Sequence, residues 1–197
     1  MVITISIRIN IGGYYMNYTF TSESVTIGHP DKICDYVSDL ILDEALKQDP
    51  FSKMAVETTI KDDLILIYGE ATTNAKIDYT NIALNALKEI GYYEEYHVIE
   101  KISKQSIEIS QAVYGKDGQV NAGDQGIMFG YACDETDNYM PSPIYYAHKL
   151  AKALDNLHKE NNQFGPDGKT QVSIDYEEDK VKRINTIIIF ERPFSTG

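Results

Sequence analysis

Gly28-His29-Pro30-Asp31-Lys32 stands directly before an amphipathic pattern in which Ile33, Val37, Leu40, Ile41 and Leu46 recur at helical spacing. Proline suits the first helical position, where its missing N–H costs nothing. Asp49-Pro50 closes the pattern. The spacing predicts a helix over 31–48 whose N-terminus is crowded by His29, Asp31 and Lys32. Free N–H groups and the positive end of the helix dipole make such a terminus a natural anion site. A histidine can donate to a phosphate, a carboxylate can hold a metal that bridges phosphates, and a lysine can offset charge. The plainer reading of the same residues is an ordinary helix start with a capping carboxylate in its first turn.

Working outward, residues 54–60 and 64–71 read as two strands joined by the turn Lys61-Asp62-Asp63. Residues 78–90 predict a second helix, stopped by Gly91. Residues 98–110 fit one or two strands, 114–126 a glycine-rich polar loop, and 127–132 a strand. A third helix is expected over 141–161, with 162–168 as its exit. Two final strands, 171–176 and 181–190, flank the acidic turn Glu177-Glu178-Asp179. Strand pairs alternating with single helices predict an α/β class, an α+β sandwich of mixed sheets. Neither a Rossmann nor a P-loop fingerprint is present. The element order suggests related modules without a strict repeat.

Composition narrows the function classes. A chain that is 43% hydrophobic and 24% charged suits a globular protein, and no apolar run approaches a membrane span. The first fifteen residues lack a continuous signal-peptide core, so a cytoplasmic location is the default expectation. Cys34 and Cys133 are too few and too far apart for a disulfide framework or a zinc site. A net charge of −12 argues against a nonspecific nucleic-acid binder. It also means that any polyphosphate ligand would need divalent cations or locally placed lysines.

Three further constellations carry chemistry. Glu57 and Glu70 sit in the two strands of the first hairpin, where period-two alternation can bring both to one face. Close carboxylates favour a cation or an amine between them; otherwise they belong to a solvated hairpin face. Asn121-Ala122-Gly123-Asp124-Gln125-Gly126 allows close backbone approach to a ligand, or is simply a turn entering a strand. Gly165-Pro166-Asp167-Gly168-Lys169-Thr170 reads as a Pro-Asp-Gly turn that leaves Lys169 at a strand start. There it could reach phosphate or lie in solvent. His97, His148 and His158 read as structural or exposed, and no Ser/His/Asp or Cys/His nucleophilic set is evident.

Taken together, these segments resemble the S-adenosylmethionine synthetase (methionine adenosyltransferase) family. The resemblance rests on Phe20-Thr21-Ser22-Glu23-Ser24-Val25 with Gly28-His29-Pro30-Asp31-Lys32-Ile33, and on residues 121–131, Asn121-Ala122-Gly123-Asp124-Gln125-Gly126 followed by Ile127-Met128-Phe129-Gly130-Tyr131. Asp134-Glu135-Thr136 and Met140-Pro141-Ser142-Pro143-Ile144 continue it, and it runs from about Phe20 to about Ile189. It implies that methionine sulfur attacks the ribose C5′ of ATP and displaces triphosphate, which is then hydrolysed to diphosphate and phosphate. Such a displacement needs no protein nucleophile. It implies Mg2+ and K+ as cofactors, ATP and L-methionine as partners, and a homo-oligomer.

By the same resemblance, His29 matches a phosphate-binding histidine and Asp31 a magnesium ligand, with Glu23 where some members carry another. Glu57 matches a potassium-site carboxylate, Glu70 the carboxylate that holds the methionine amine, and Gln105 a glutamine of the methionine site. Asp124 falls in the glycine-rich segment of the substrate site. Asp167 and Lys169 match an ATP-binding pair, and His29 and Lys169 are the expected catalytic residues. Residues from 105 to about 120 match a mobile loop of the kind that can limit turnover.

The resemblance divides the chain into an extension with a first strand (1–19), a first module (20–120) and a second module (121–197), with a third domain missing. Family members are about twice as long, and their second half carries further magnesium and phosphate ligands. Strands that should pair with the missing segments are expected as exposed edges. Ser106-Ile107-Glu108-Ile109 stands where the family carries Ser-Pro-Asp-Ile, a lost proline that should loosen the loop, Asn121 replaces a glycine, and residues 190–194 depart from the family pattern. The similarity begins just after Met16, an alternative start. The expected activity is therefore methionine adenosyltransferase, completed by the missing half. The alternatives are a non-catalytic interaction subunit and the product of a broken gene.

Overall fold

Two three-stranded sheets, each covered by helices on one face, make up the fold. The structure is a computed structural model that describes residues 17–104, 126–161 and 163–193. In chain order it contains β1 (Tyr18–Val25), α1 (Pro30–Gln48), β2 (Lys53–Lys61), β3 (Leu64–Thr72), α2 (Tyr79–Ile90), β4 (His97–Ser103), α3 (Ser142–Glu160), β5 (Phe164–Glu177) and β6 (Lys180–Pro193).

Helix α1 begins where the opening motif places it, with Pro30 in its first turn and His29 as N-cap. The cap is the histidine ring, not a carboxylate: Nδ1 accepts from the Asp31 N–H at 3.3 Å. The buried stripe is Ile33, Val37, Ile41 and Ala45, while Leu46 is 40% exposed. The stripe repeats every fourth residue, so the small Ala45 faces the core and the larger Leu46 turns away. Helix α2 is capped by the Asp78 side chain, which accepts from the Asn81 N–H, and ends on Gly91 at φ 116°.

The first sheet has the order β2-β3-β4. β2 and β3 form the expected hairpin around Asp62-Asp63, with Asp62 at φ 54°. Aspartate tolerates that left-handed backbone better than most residues. β4 runs parallel to β3, with Leu64 opposite His97. The chain makes the parallel return by crossing over through α2, as parallel pairing requires. Ile65 and Ile67 pack with the buried residues of α1 and α2 into one core cluster.

The second sheet has the order β1-β5-β6, all antiparallel. Its covered face carries Val172, Ile174 and Tyr176, packed against Ala147 and Leu150 of α3. Tyr18 stacks on Tyr176 with ring centroids 4.9 Å apart. β1 precedes α1 in sequence yet pairs with β5, so the two sheets are interleaved along the chain. The crossing between them is the short stretch Thr26-Ile27-Gly28-His29.

Two sequence expectations are corrected. Residues 127–132 have no regular structure, and Ile127, Met128 and Phe129 are almost fully exposed. Their apolar run looks like a strand locally, but no neighbouring strand pairs with it among the described residues. Residues 164–168, read as a helix exit and turn, are the first part of β5. A register shift between Phe164 and Gly168 absorbs Pro166, which suits a bulge because proline cannot donate to the ladder. Lys169 therefore lies within a strand, not at its start.

Candidate functional site

The crossing stretch is tied to β5 by a short ladder. Thr26 N donates to Gly168 O at 2.9 Å and Gly28 N to Pro166 O at 3.1 Å. The Thr26 hydroxyl, fully buried, donates to Pro166 O at 2.7 Å. This ladder places the residue just after Gly28 beside the residues just after Pro166. A cavity of about 240 Å³ results, lined by His29, Asp167, Gly168, Lys169, Phe190, Glu191 and Arg192. His29 lies far in sequence from the near neighbours Asp167 and Lys169, and the fold brings the two motifs to one cavity.

The electrostatics of this cavity follow from its neighbours. His29 is a quarter exposed. Because its Nδ1 accepts a backbone N–H, a neutral ring carries its proton on Nε2 as a donor. Asp31 Oδ2 lies 3.8 Å from His29 Nδ1, with its side chain 90% exposed. Lys169 Nζ pairs with Glu23 Oε2 at 2.5 Å, across the β1–β5 register that sets Val25 opposite Lys169. Lys32 Nζ donates to Val25 O at 2.8 Å.

Asp31 and Glu23 are the magnesium candidates, and they suit that ion in a limited way. Among the described residues, no three His, Cys, Asp or Glu side chains converge as a cage. Magnesium typically takes one or two carboxylates and fills its shell with water and substrate phosphates. The exposed Asp31 at a helix start meets that description. Glu23 is engaged by Lys169, so it is free for a cation only when that lysine turns elsewhere.

Glu57 and Glu70 lie in the other sheet and do not line this cavity. The register sets Glu57 opposite Tyr68 and Glu70 opposite Ala55. Both carboxylates therefore point to the face opposite Ile65 and Ile67, as diagonal neighbours. Gln105 and Asp124 lie outside the described residues. Of the remaining histidines, His148 Nδ1 is 2.8 Å from the Ser24 hydroxyl, and His158 lies between two backbone carbonyls, Phe164 O and Ile90 O, to one of which a neutral ring donates. His97 is exposed, 3.9 Å from Asp63.

Glu191, which lines the cavity, and Asp155, which braces the crossing, have no role visible in the sequence. Glu191 Oε1 accepts from Gly165 N at 2.9 Å and so holds the start of β5. Asp155 of α3 accepts from Ile27 N at 2.9 Å. Neither has a local pattern to flag it, since each acts across the fold. Glu135 accepts from Ser142 N and from the Tyr176 hydroxyl, which ties the start of α3 to β5. Burial first, and then the hydrogen bond to Glu135, push the Tyr176 phenol well above its ordinary value.

Comparison with known proteins places this architecture. Residues 17–115 match the S-adenosylmethionine synthetase N-terminal domain and residues 119–193 the central domain. The S-adenosylmethionine synthase of Prochlorococcus marinus (strain MIT 9215) is 50% identical over 192 residues, covering 88% of this chain and 46% of that protein. That of Brachyspira hyodysenteriae (strain ATCC 49526 / WA1) is 46% identical over 192 residues, covering 88% of this chain and 49% of that protein. The synthase of Sorangium cellulosum (strain So ce56) is 46% identical over 185 residues, with 87% and 44% covered. The chain belongs to the S-adenosylmethionine synthetase family. It spans about half the length of the curated relatives it matches. No helix among the described residues is long and apolar enough to cross a membrane.

Proposed function

We propose that the chain supplies one wall of a methionine adenosyltransferase site, which forms S-adenosylmethionine from ATP and L-methionine with release of phosphate and diphosphate. The observation that carries this reading is the convergence of His29, Asp167 and Lys169 on one cavity beside a helix N-terminus. In the reaction a C–S bond forms between methionine and the ribose C5′, the C5′–O bond breaks, and its electron pair leaves with the triphosphate. The protein's task is to position the reactants and stabilise the leaving charge. His29 donates its Nε2 proton to a phosphate oxygen. Lys169 exchanges Glu23 for phosphate. Asp167, together with Asp124, holds the nucleotide, and Glu70 with Gln105 holds methionine through its ammonium group.

Asp31, with Glu23 once Lys169 has left it, would hold Mg2+, and Glu57 would hold K+. When bound, these cations supply the positive charge that a chain of net charge −12 lacks toward a triphosphate. A cytoplasmic homo-oligomer accompanies this reading. The test combines the chain with ATP, methionine, magnesium and potassium, with and without a polypeptide carrying the second half of a relative. S-adenosylmethionine detected by mass spectrometry in the complemented mixture supports the proposal. Its absence from both mixtures refutes it.

A further inference from the structure

The peptide that leads into His29 is held by a residue that no motif marks. Tyr92 Oη donates to Gly28 O at 2.7 Å. A peptide unit is planar, so fixing the Gly28 carbonyl fixes the plane that enters His29. The opposite side of the same residue is fixed by the bond from Gly28 N to Pro166 O. The Gly28 backbone is thus clamped between α2's end and β5.

The position of Tyr92 follows from how α2 ends. Gly91 takes φ 116°, and its N–H donates to Lys88 O at 3.2 Å while Tyr92 N donates to Leu87 O at 2.9 Å. That pair of bonds is a Schellman ending, which sets the direction of the residue after the glycine. The Tyr92 ring is half-buried and lines, with Pro166 and Asp167, a cavity of about 280 Å³. Burial first, and then the charge of Asp167, push its phenol up, which favours the protonated, donating hydroxyl.

We propose that Tyr92 is a positioning residue for the triphosphate site: its hydroxyl sets the Gly28–His29 peptide and so aims the His29 ring at the cavity shared with Asp167 and Lys169. The phosphate role of His29 on which this rests is that of the proposed function above. Tyr92 touches no reacting atom and acts through His29.

Tyr92→Phe keeps the ring and deletes only the hydroxyl. Two readouts on the full chain test it: the His29 ring signals in a carbon–proton correlation spectrum without ligand, and titration with magnesium tripolyphosphate. The expected result is displaced His29 signals and about five- to tenfold weaker tripolyphosphate binding. Tyr96→Phe, in the same cavity, leaves both unchanged. His29 signals that superimpose on wild type, or an unchanged affinity, overturn the positioning role, even if the urea midpoint falls. A wild-type chain that binds no tripolyphosphate overturns the phosphate role of His29 itself; His29 signals that still move in Tyr92→Phe distinguish that failure from the first.

Discussion

Gly28→Ala is the most severe small change the site can be given. A Cβ there would lie 2.5 Å from the carbonyl carbon and oxygen of Pro166 and 2.6 Å from its Cβ. Ordinary carbon–carbon contact needs ~3.5–4.0 Å. The obstacle is backbone, so no side-chain rotation relieves it, and the two segments must move apart by roughly 1 Å. The bond from Gly28 N to Pro166 O, now 3.1 Å, would then stretch past hydrogen-bond range. Overpacking of this kind costs ~1–3 kcal/mol, and the lost bond adds ~1 kcal/mol. With a urea dependence of about 2 kcal/mol per molar, the unfolding midpoint should fall by about 1–2 M. Circular dichroism of the two proteins through a urea series gives the comparison. A midpoint unchanged from wild type would refute the close approach of residues 28 and 166, and with it the ladder that joins His29 to β5.

Two other outcomes follow from the same sheets. His158 places Nδ1 2.8 Å from Phe164 O and Nε2 3.1 Å from Ile90 O; a neutral ring donates to one of these carbonyls and packs against the other, which links the ends of α2 and α3. His158→Ala should lower stability by ~1–3 kcal/mol in urea unfolding; an unaltered midpoint contradicts the link. The Thr19 hydroxyl, then Arg183 and Asn185, hold the Asp175 carboxyl down to about 2. A carboxyl depressed in the folded state stabilises the fold above its ordinary value and loses that effect as pH falls toward the folded value. Asp175→Asn should therefore flatten the decline of stability between about pH 4 and 2. An acid limb that superimposes on wild type would show that these bonds do not hold the sheet.

Much of the fold is legible locally. The 3.6-residue stripe of Ile33, Val37 and Ile41 marks α1, and Asp78 with Gly91 brackets α2. The acidic turn is a two-residue hairpin loop, with Glu178 and Asp179 both at positive φ, as such loops require. What escapes local reading is pairing across the chain. Nothing in residues 18–25 says that their partner is β5, because alternation specifies a face and not a neighbour. The turn chemistry of Gly165-Pro166-Asp167-Gly168 is real, but a register shift accommodates it inside a strand. The exposed run at residues 127–129 shows the converse, apolar character without a partner to turn it into a strand.

The candidate site divides in the same way. His29, Asp31 and Lys169 carry residue types that phosphate chemistry needs, so each could be picked out singly. That His29 and Lys169 share a cavity depends on the Thr26–Gly168 ladder, and that Lys169 rests on Glu23 depends on the β1–β5 register. Tyr92 and Asp155 act only on backbone groups of the crossing, and backbone bonding leaves no trace in residue type.

The proposed contribution of this chain is the phosphate-binding wall of an adenosyltransferase site. Its most direct test is whether S-adenosylmethionine formation in the complemented mixture depends on this chain's own Lys169. Lys169→Ala should cut the initial rate by at least about a hundredfold, the scale of losing one preorganised charge at a leaving group, while the mixed assembly still forms on size exclusion. A rate that persists at the wild-type level in that variant would show that Lys169 does not serve the leaving phosphate and that this wall is not the phosphate-binding one.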